Sequence, residues 1–271
     1  MKRYLLILSG AVLAIFLLWN VPGDAGGEKP SVWTPFLPEE SYKELSIRSI
    51  KLIEESAKAG DKGASDKIEV EAAILVGTTL SVKNPKDDAI AKLRGAALEA
   101  ARAARKKDFK ALGDFGKNIA IAPKASADVK DWTSVLRATE PMMKMFLSYA
   151  KGGEGIHADL QYHPSLKNLN GIEALISKLA TKKLSDDNLA KVEKELPNLG
   201  YRLAVVASIT HEFTSKKEVE KWRDLSRDMR DASIALAEAA RKKNGDGVLK
   251  AAMALENSCV ECHSVFKSNP K

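Results

Sequence analysis

The chain has 271 residues, enough for one large domain or two small ones, and 45% of them are apolar, so a buried core can form. Aromatic residues make up only 6% and alanine is abundant, which argues against a β-sandwich or barrel and favours an all-α fold. The net formal charge is +7. The basic residues are interspersed with acidic ones along helix faces, which is the pattern of a solvated surface, so we expect no nucleic acid as a partner.

The N-terminus resembles a secretory signal. Lys2 and Arg3 precede an apolar run from Leu5 to Trp19, and small residues follow it. An apolar run of 15 residues is short for a spanning helix, which needs roughly 20, so we predict a cleaved signal peptide over residues 1–25. An uncleaved N-terminal anchor is the alternative, and only that alternative gives membrane contact. Both interpretations predict an exported, periplasmic protein.

Residues 26–38 contain three prolines and no periodicity, which predicts an extended lead-in. A first helical unit is predicted over residues 39–121, opened by a capping box between Ser41 and Glu44. Its further helices are predicted over Ile68 to Val82, about Asp87 to Lys107, and Phe109 to Ile121.

Residues 122–170 are less regular and are interpreted as a connecting segment. Met142, Met143 and Met145 follow Pro141 in what looks like one short apolar helix. The stretch from Lys151 to Pro164 then combines three glycines with a proline and breaks all periodicity.

A second helical unit is predicted over residues 171–271. Its first helix begins near Gly171, Ser185 is a good N-cap for the next, and Pro197 should kink or interrupt the helix that contains it. The last helix carries an apolar seam with 4-3-4-3-4 spacing. The seam residues are Val248, Ala252, Leu255, Cys259, Cys262 and Phe266.

The two units resemble each other in sequence. Eight of fifteen positions are identical when Arg94–Asp108 is aligned without gaps with Arg230–Asn244. An apolar helix precedes each segment and a shorter amphipathic one follows it. We therefore predict two tandem antiparallel four-helix-bundle units that arose by duplication.

The chain contains only two cysteines, Cys259 and Cys262, and His263 directly follows the second. Cys-x-x-Cys-His is the attachment signature of c-type haem. Residues i, i+3 and i+4 share one face of a helix, so both thiols can bond one porphyrin edge while the imidazole binds the iron. We expect one haem c, bound covalently through Cys259 and Cys262, with His263 as the metal ligand.

Two other uses of the motif were weighed. A zinc site needs two further ligands at suitable spacing, and the chain has no second cysteine pair. A redox disulfide is usually placed at a helix N-terminus, whereas this pair lies late in the final helix. An exported helical interaction protein whose two cysteines form a disulfide stays as the non-haem alternative.

A C-terminal CxxCH in the last helix of a four-helix unit resembles the cytochrome c-prime superfamily. In that family an aromatic and then a basic residue commonly follow the haem histidine, and Phe266 and Lys267 occupy these places. The resemblance covers roughly residues 171–267 and reaches 39–121 only through the internal repeat. The first unit has no cysteine or histidine at the corresponding stretch, Asn118–Ser126, so it is expected to be haem-free.

The resemblance implies a haem face covered by the first helix of the unit. Relatives place either an apolar side chain or a methionine there. The inward residues of the helix after Gly171 would be Ile172, Leu175 and Ile176, which cannot ligate iron; Met142, Met143 and Met145 are rivals if the preceding helix covers the haem. His157 and His163 lie in the glycine-rich connection, where we expect exposed loop residues; the alternative is that one of them reaches over a haem face. His211 is not part of a zinc motif, because no second histidine follows at HExxH spacing.

One-electron transfer is the function expected first, with redox proteins as partners. Binding of a small gas such as NO or CO at a five-coordinate iron is the alternative. Enzymatic activity is not predicted, because no acid–base pair is identifiable around Gly171–Lys183. The oligomeric state is left open.

Overall fold

A computed structural model of the chain describes residues 31–136, 140–146, 169, 171–214 and 217–266. The predicted signal peptide, most of the lead-in, His157, His163 and Lys267 lie outside the described residues. Within these ranges the chain is all-helical, as predicted, and contains no strand. None of the helices in these ranges combines the length and apolar content needed to cross a bilayer.

The described part of the chain contains eleven α-helices. One three-residue 3₁₀ turn precedes the fourth helix and another follows it. The helices are α1 Glu39–Ala59, α2 Ala64–Leu80, α3 Asp88–Arg105, α4 Phe115–Asn118, α5 Val129–Thr133, α6 Glu140–Lys144, α7 Ile172–Thr181, α8 Asp186–Lys191, α9 Glu195–Glu212, α10 Val219–Arg241 and α11 Gly245–Phe266.

Local chemistry explains several helix ends. Gly60 ends α1 with φ +58°, a left-handed conformation that glycine adopts without strain. The carboxylate of Asp87 caps α3 by accepting hydrogen bonds from the amides of Ala89 and Ile90. Ser185 occupies the N-cap position of α8, as predicted, but its side chain makes no capping hydrogen bond.

Two helices, α2 and α9, form the centre of the molecule. Every residue from Ile68 to Leu80 is buried, and so is every residue from Leu196 to Thr210 except Asn198, because neighbouring helices cover all sides of both. α2 packs between α1 and α3, α9 packs against α10, and α2 and α9 contact each other directly. The described residues from Val32 onward belong to one compact unit, and one apolar core runs through both predicted units.

A buried ion pair joins α2 to α9. The Arg202 guanidinium lies 2.6 Å from the Glu71 carboxylate, and the two side chains are 0% and 4% exposed. Arg202 also donates to the Ser49 hydroxyl of α1, at 3.4 Å. Helices from the two predicted units therefore share a buried charged contact.

The segment between the predicted units contributes to this core. Trp132 of α5 is fully buried, and its ring makes edge-to-face contacts with Trp33 and Phe213 at centroid distances of 5.8 and 6.0 Å. Met142 and Met145 are 3% exposed. This part of residues 122–170 is thus packed into the protein, although its sequence shows little periodicity.

Candidate haem-attachment site

The motif lies on the last turns of α11, and the predicted seam is the buried face of that helix. Val248, Ala252 and Leu255 are at most 1% exposed, whereas Cys259, Cys262 and Phe266 are half-buried. Burial therefore decreases towards the C-terminal end of the helix, where the two thiols lie.

α7 runs antiparallel to α11. Lys183 pairs with Asp246 at 2.7 Å, and the Ser177 hydroxyl donates to the Glu256 carboxylate at 2.6 Å. In this register the position opposite His263 precedes Ile172, the first residue of α7. α11 therefore extends beyond α7 by about one turn, which explains why the His263 side chain is exposed.

Both cysteines are free thiols in the structure. Burial raises the pKa of Cys259 to about 11, with smaller contributions from Cys262 and from the Glu173 and Glu256 carboxylates. Burial also raises the pKa of Cys262. At neutral pH both groups are protonated thiols, unlike the low-pKa thiolates of disulfide oxidoreductases and zinc sites.

The imidazole of His263 makes no hydrogen bond and no ion pair with any described residue. It lies four positions after Cys259 and one after Cys262, at the edge between the half-buried side that carries the thiols and the exposed side of α11. The ring is therefore available to bind a ligand that the cysteines hold beside it.

The end of α11 is held against α10. The rings of Phe266 and Trp222 meet edge to face with centroids 5.0 Å apart, and the Trp222 indole N–H donates to the Thr210 carbonyl at 2.8 Å. Lys221 and Glu261 form a more distant pair at 3.7 Å. These contacts fix the turn that carries Cys262 and His263.

The position of Trp222 beside the motif was not among the sequence predictions. A signal for it was present, because a short turn at residues 242–244 forces α10 and α11 to pair antiparallel. Positions equally far from that turn, such as Trp222 and Phe266, then lie side by side. The contact of Glu173 with Cys259 had no such signal, because it depends on the packing of α7.

The predicted distal residues are buried. Ile172, Leu175 and Ile176 are 2%, 0% and 3% exposed on α7, which packs against α11. Met142 is buried and Met143 half-buried, and both pack in the same core. The amide of Glu173 donates to the Phe146 carbonyl at 3.3 Å, so the end of the methionine segment adjoins the start of α7.

His211, the other described histidine, lies at the end of α9. Its Nδ1 is 3.5 Å from the Glu212 carboxylate and its Nε2 is 3.3 Å from the Arg227 guanidinium. Glu212 in turn accepts a hydrogen bond from the Trp33 indole at 3.0 Å. His211 thus belongs to a polar cluster between helices and does not join the CxxCH motif.

The donor set fits a haem better than a free metal ion. Within the described ranges no three His, Cys, Asp or Glu side chains converge as a metal-binding group, as a zinc site would require. Covalent haem needs only two thiols and one imidazole from the chain, because the porphyrin supplies four iron ligands. Cys259, Cys262 and His263 meet that requirement on one side of α11.

Comparison with known proteins adds no relative: no family model, curated protein or solved structure matches the chain.

Proposed function

We propose that this chain is an exported c-type cytochrome that carries one haem and acts in one-electron transfer. The observation that carries the proposal is the arrangement on α11, where two half-buried free thiols and an unpartnered imidazole occupy one side of a helix end. The proposal includes two tandem four-helix units, similar to the cytochrome c-prime superfamily, of which only the second binds haem.

Each residue has a defined part in this proposal. Cys259 and Cys262 form thioethers that keep the haem attached, and His263 binds the iron. A bound haem supplies an iron that cycles between the ferrous and ferric states. Phe266, through its contact with Trp222, positions the turn that carries His263.

The raised thiol pKa values favour attachment over disulfide exchange. The nucleophile of an exchange reaction is the thiolate, and a Cys259 pKa of about 11 leaves little of it near neutral pH. The C-terminal part of a helix also disfavours negative charge, because the helix dipole is negative at that end. Thioether formation consumes the thiols once and needs no repeated cycling.

Binding of a small gas is the second candidate, and the residues of α7 favour it. Ile172, Leu175 and Ile176 are buried and apolar, and none can ligate iron. If α7 covers the haem, the sixth coordination position is free. Carbon monoxide added to the reduced protein separates the two candidates: a rapid spectral change indicates an accessible iron, and no change supports electron transfer alone.

The first experiment is a pyridine haemochrome spectrum of protein exported together with a haem-attachment system. We expect a c-type spectrum with one haem per chain. Cys259→Ala combined with Cys262→Ala should abolish covalent haem, whereas either single substitution should leave one thioether and shift the band to longer wavelength.

His263→Ala tests the iron ligand. It should keep the thioethers but alter the Soret band, because the iron loses its protein ligand. Ser264→Ala, at the adjacent exposed position, is the matched control and should leave the spectrum unchanged. Colourless exported protein whose mass shows a Cys259–Cys262 disulfide would reject the proposal in favour of the non-haem alternative.

A further inference from the structure

Between residues 253 and 265 the outer face of α11 is poor in charge, whereas the preceding turn exposes Lys250. Eight positions between residues 253 and 265 are exposed, and only one of them carries a formal charge. They are Met253, Ala254, Asn257, Val260, Glu261, His263, Ser264 and Val265. Met253, Val260 and Val265 are 49%, 62% and 41% exposed, and they make up three of the five large apolar side chains found exposed in the described ranges.

The neighbouring helix α10 shows what an ordinary solvated face looks like in this protein. Its exposed positions are Glu220, Lys221, Asp228, Asp231, Ala235 and Arg241, and all but one of them are charged. Water therefore covers α10 favourably, whereas α11 exposes apolar side chains on the turns that carry the CxxCH motif, on the side away from the two thiols. Exposed apolar side chains that share one helix face are a feature of interaction sites.

The charges beside this face are predominantly acidic. Asp224 and Asp231 pair with Arg227 and Arg230 at 3.0 and 2.7 Å, but the acids are 44% and 57% exposed and the arginines only 19% and 11%. The negative ends of these pairs therefore face the solvent.

Asp228 lies among these acids, and its electrostatics agree with that picture. Its pKa is raised by burial and then by Asp224, Asp231 and Glu261, while Lys221 is the one cation that opposes the rise. Glu261 belongs to the outer face of α11 itself. The apolar surface and the acidic rim are thus continuous.

We infer that the outer face of α11 is the docking surface for a redox partner protein whose own contact surface combines an apolar patch with a rim of lysine or arginine. The inference rests on the proposed function, because the face belongs to the helix turns that would hold the haem, on the side opposite the two thiols. Apolar contact at the centre and charge complementarity at the rim are the usual composition of a transient interface.

Other occupants fit the charges less well. A second copy bound through the same face would place acid against acid, because a twofold contact repeats the same patch on both sides. An anionic lipid surface would be repelled by the same carboxylates. The whole chain carries +7, so attraction of a basic partner must come from this local field.

The test uses two helical peptides made of leucine with either lysine or glutamate. Each is titrated into the isotope-labelled full chain, purified after export, while amide signals are followed by NMR. We expect the leucine–lysine peptide to shift signals of the α11 outer face, with an affinity that falls as salt rises. The leucine–glutamate peptide should not bind there.

Matched variants locate the contact. Val260→Lys should weaken binding of the leucine–lysine peptide by at least about tenfold, since it puts a charge of the same sign as the peptide into the apolar centre of the face. Ile47→Lys is the control, because Ile47 on α1 is also 62% exposed, and it should have no effect. Glu261→Gln should weaken binding by about threefold, in the range measured for an exposed ion pair.

Four outcomes would overturn the inference: equal binding of Val260→Lys, equal binding of the glutamate peptide at α11, self-association of the chain that Val260→Lys abolishes, or attachment of α11 to anionic vesicles. The haem content of the same preparation is measured separately. A colourless protein that still binds the lysine peptide at α11 would reject the proposed function while leaving the docking surface standing.

Discussion

Cys259 is a residue whose chemistry the fold changes strongly. Its thiol is half-buried between α11 and α7 and is approached by Cys262 and by the Glu173 and Glu256 carboxylates. The pKa rises because the thiolate loses hydration and gains negative neighbours, while the neutral thiol is little affected. The CxxCH motif could be read from the sequence, but this pKa could not, because it depends on which helix covers the thiol.

The raised pKa predicts a pH dependence of the haem-free chain, prepared without residues 1–25. An acidic group whose folded pKa exceeds its unfolded value of 9.0 contributes its full stability below that pH. This stability is lost as pH rises through about 11, the folded pKa of Cys259. We expect ionisation of this group to lower the free energy of unfolding by on the order of 3 kcal/mol once the pH exceeds both values, at about 1.4 kcal/mol for each of the two pKa units.

Urea titrations between pH 8 and pH 11 measure the effect. Burial also raises the pKa of Tyr201 to about 12, so ionisation of Tyr201 lowers the free energy of unfolding over an overlapping pH range. Variants must therefore be compared by the slope of the free energy of unfolding against pH. Cys259→Ala should flatten the decline, and Ser264→Ala should not. Identical slopes for the Cys259→Ala variant and the parent would contradict the prediction.

Most helices could be predicted as elements. The patterns over Ile68 to Val82 and Asp87 to Lys107 correspond to α2 and α3 within a few residues. Pro197 does interrupt the helical pattern: α8 ends at Lys191 and α9 begins at Glu195, so the proline lies in the first turn, where its missing N–H costs nothing.

The predicted capping box at Ser41 was wrong. α1 begins at Glu39 after Pro38, so Ser41 lies inside the helix and is buried. Ser-x-x-Glu is a local signal, and Pro38, three positions before Ser41, had already set the backbone for a helix start.

The two predicted units differ at their C-terminal ends, where the second unit has the long helix α11. In the first, α4 has only four residues, and the chain then runs extended past α3. The Ala125 amide donates to the Ala91 carbonyl at 2.9 Å, and the Arg94 guanidinium donates to the Ala125 carbonyl at 2.9 Å. A Cβ on Gly95 would lie 1.8 Å from the Pro123 carbonyl oxygen. These contacts depend on individual residues, so the periodicity of the sequence does not reveal them.

Close helix contact at Gly200 predicts an unusual mutational effect. Alanine normally stabilises a helix relative to glycine by about 1 kcal/mol. A Cβ at Gly200, however, would lie 2.8 Å from the Ala237 backbone nitrogen and 2.9 Å from the Ser233 carbonyl oxygen of α10. Backbone atoms cannot move aside, so Gly200→Ala should destabilise the protein by about 1–3 kcal/mol.

Thermal or urea unfolding tests this prediction. Gly63→Ala is the control, because its Cβ would meet only side-chain atoms at 3.4 and 3.7 Å, and it should change stability little. A stabilised Gly200→Ala variant would show that α9 and α10 are further apart than described.

At the scale of the molecule, sequence periodicity showed which faces are apolar but not which helices cover them. Two separate cores were the natural expectation from two tandem units. The described residues instead share one core, with α2 and α9 packed together at its centre. The largely apolar middle of both helices indicated burial on all sides, but their mutual contact depends on long-range packing that no local pattern encodes.

The buried ion pair between Arg202 and Glu71 allows the shared core to be tested. Both side chains are almost fully buried, so Arg202→Met removes the cation 2.6 Å from the buried Glu71 carboxylate and should cost about 3–5 kcal/mol. Adding Glu71→Leu should restore much of the loss, because the buried carboxylate is then removed as well. Arg241→Met is the control: its pair with Glu238 is 47% and 37% exposed, and its loss should cost at most about 1 kcal/mol.

Urea unfolding followed by circular dichroism and tryptophan fluorescence gives the comparison. A shared core also predicts that the two signals coincide in one transition, since the tryptophans and helices of both units unfold together. Two resolved transitions, or an Arg202→Met variant as stable as Arg241→Met, would show that the two units unfold independently.

The length of α11 relative to α7 has a consequence for energetics. Because α11 extends about one turn further, the His263 side chain is in water. An iron bound there would be partly hydrated, and hydration stabilises the ferric state, which carries one more positive charge than the ferrous state. The nearby carboxylates of Glu173 and Glu261 act in the same direction. A haem at this position would therefore have a low midpoint potential, and the protein would be a better electron donor than acceptor.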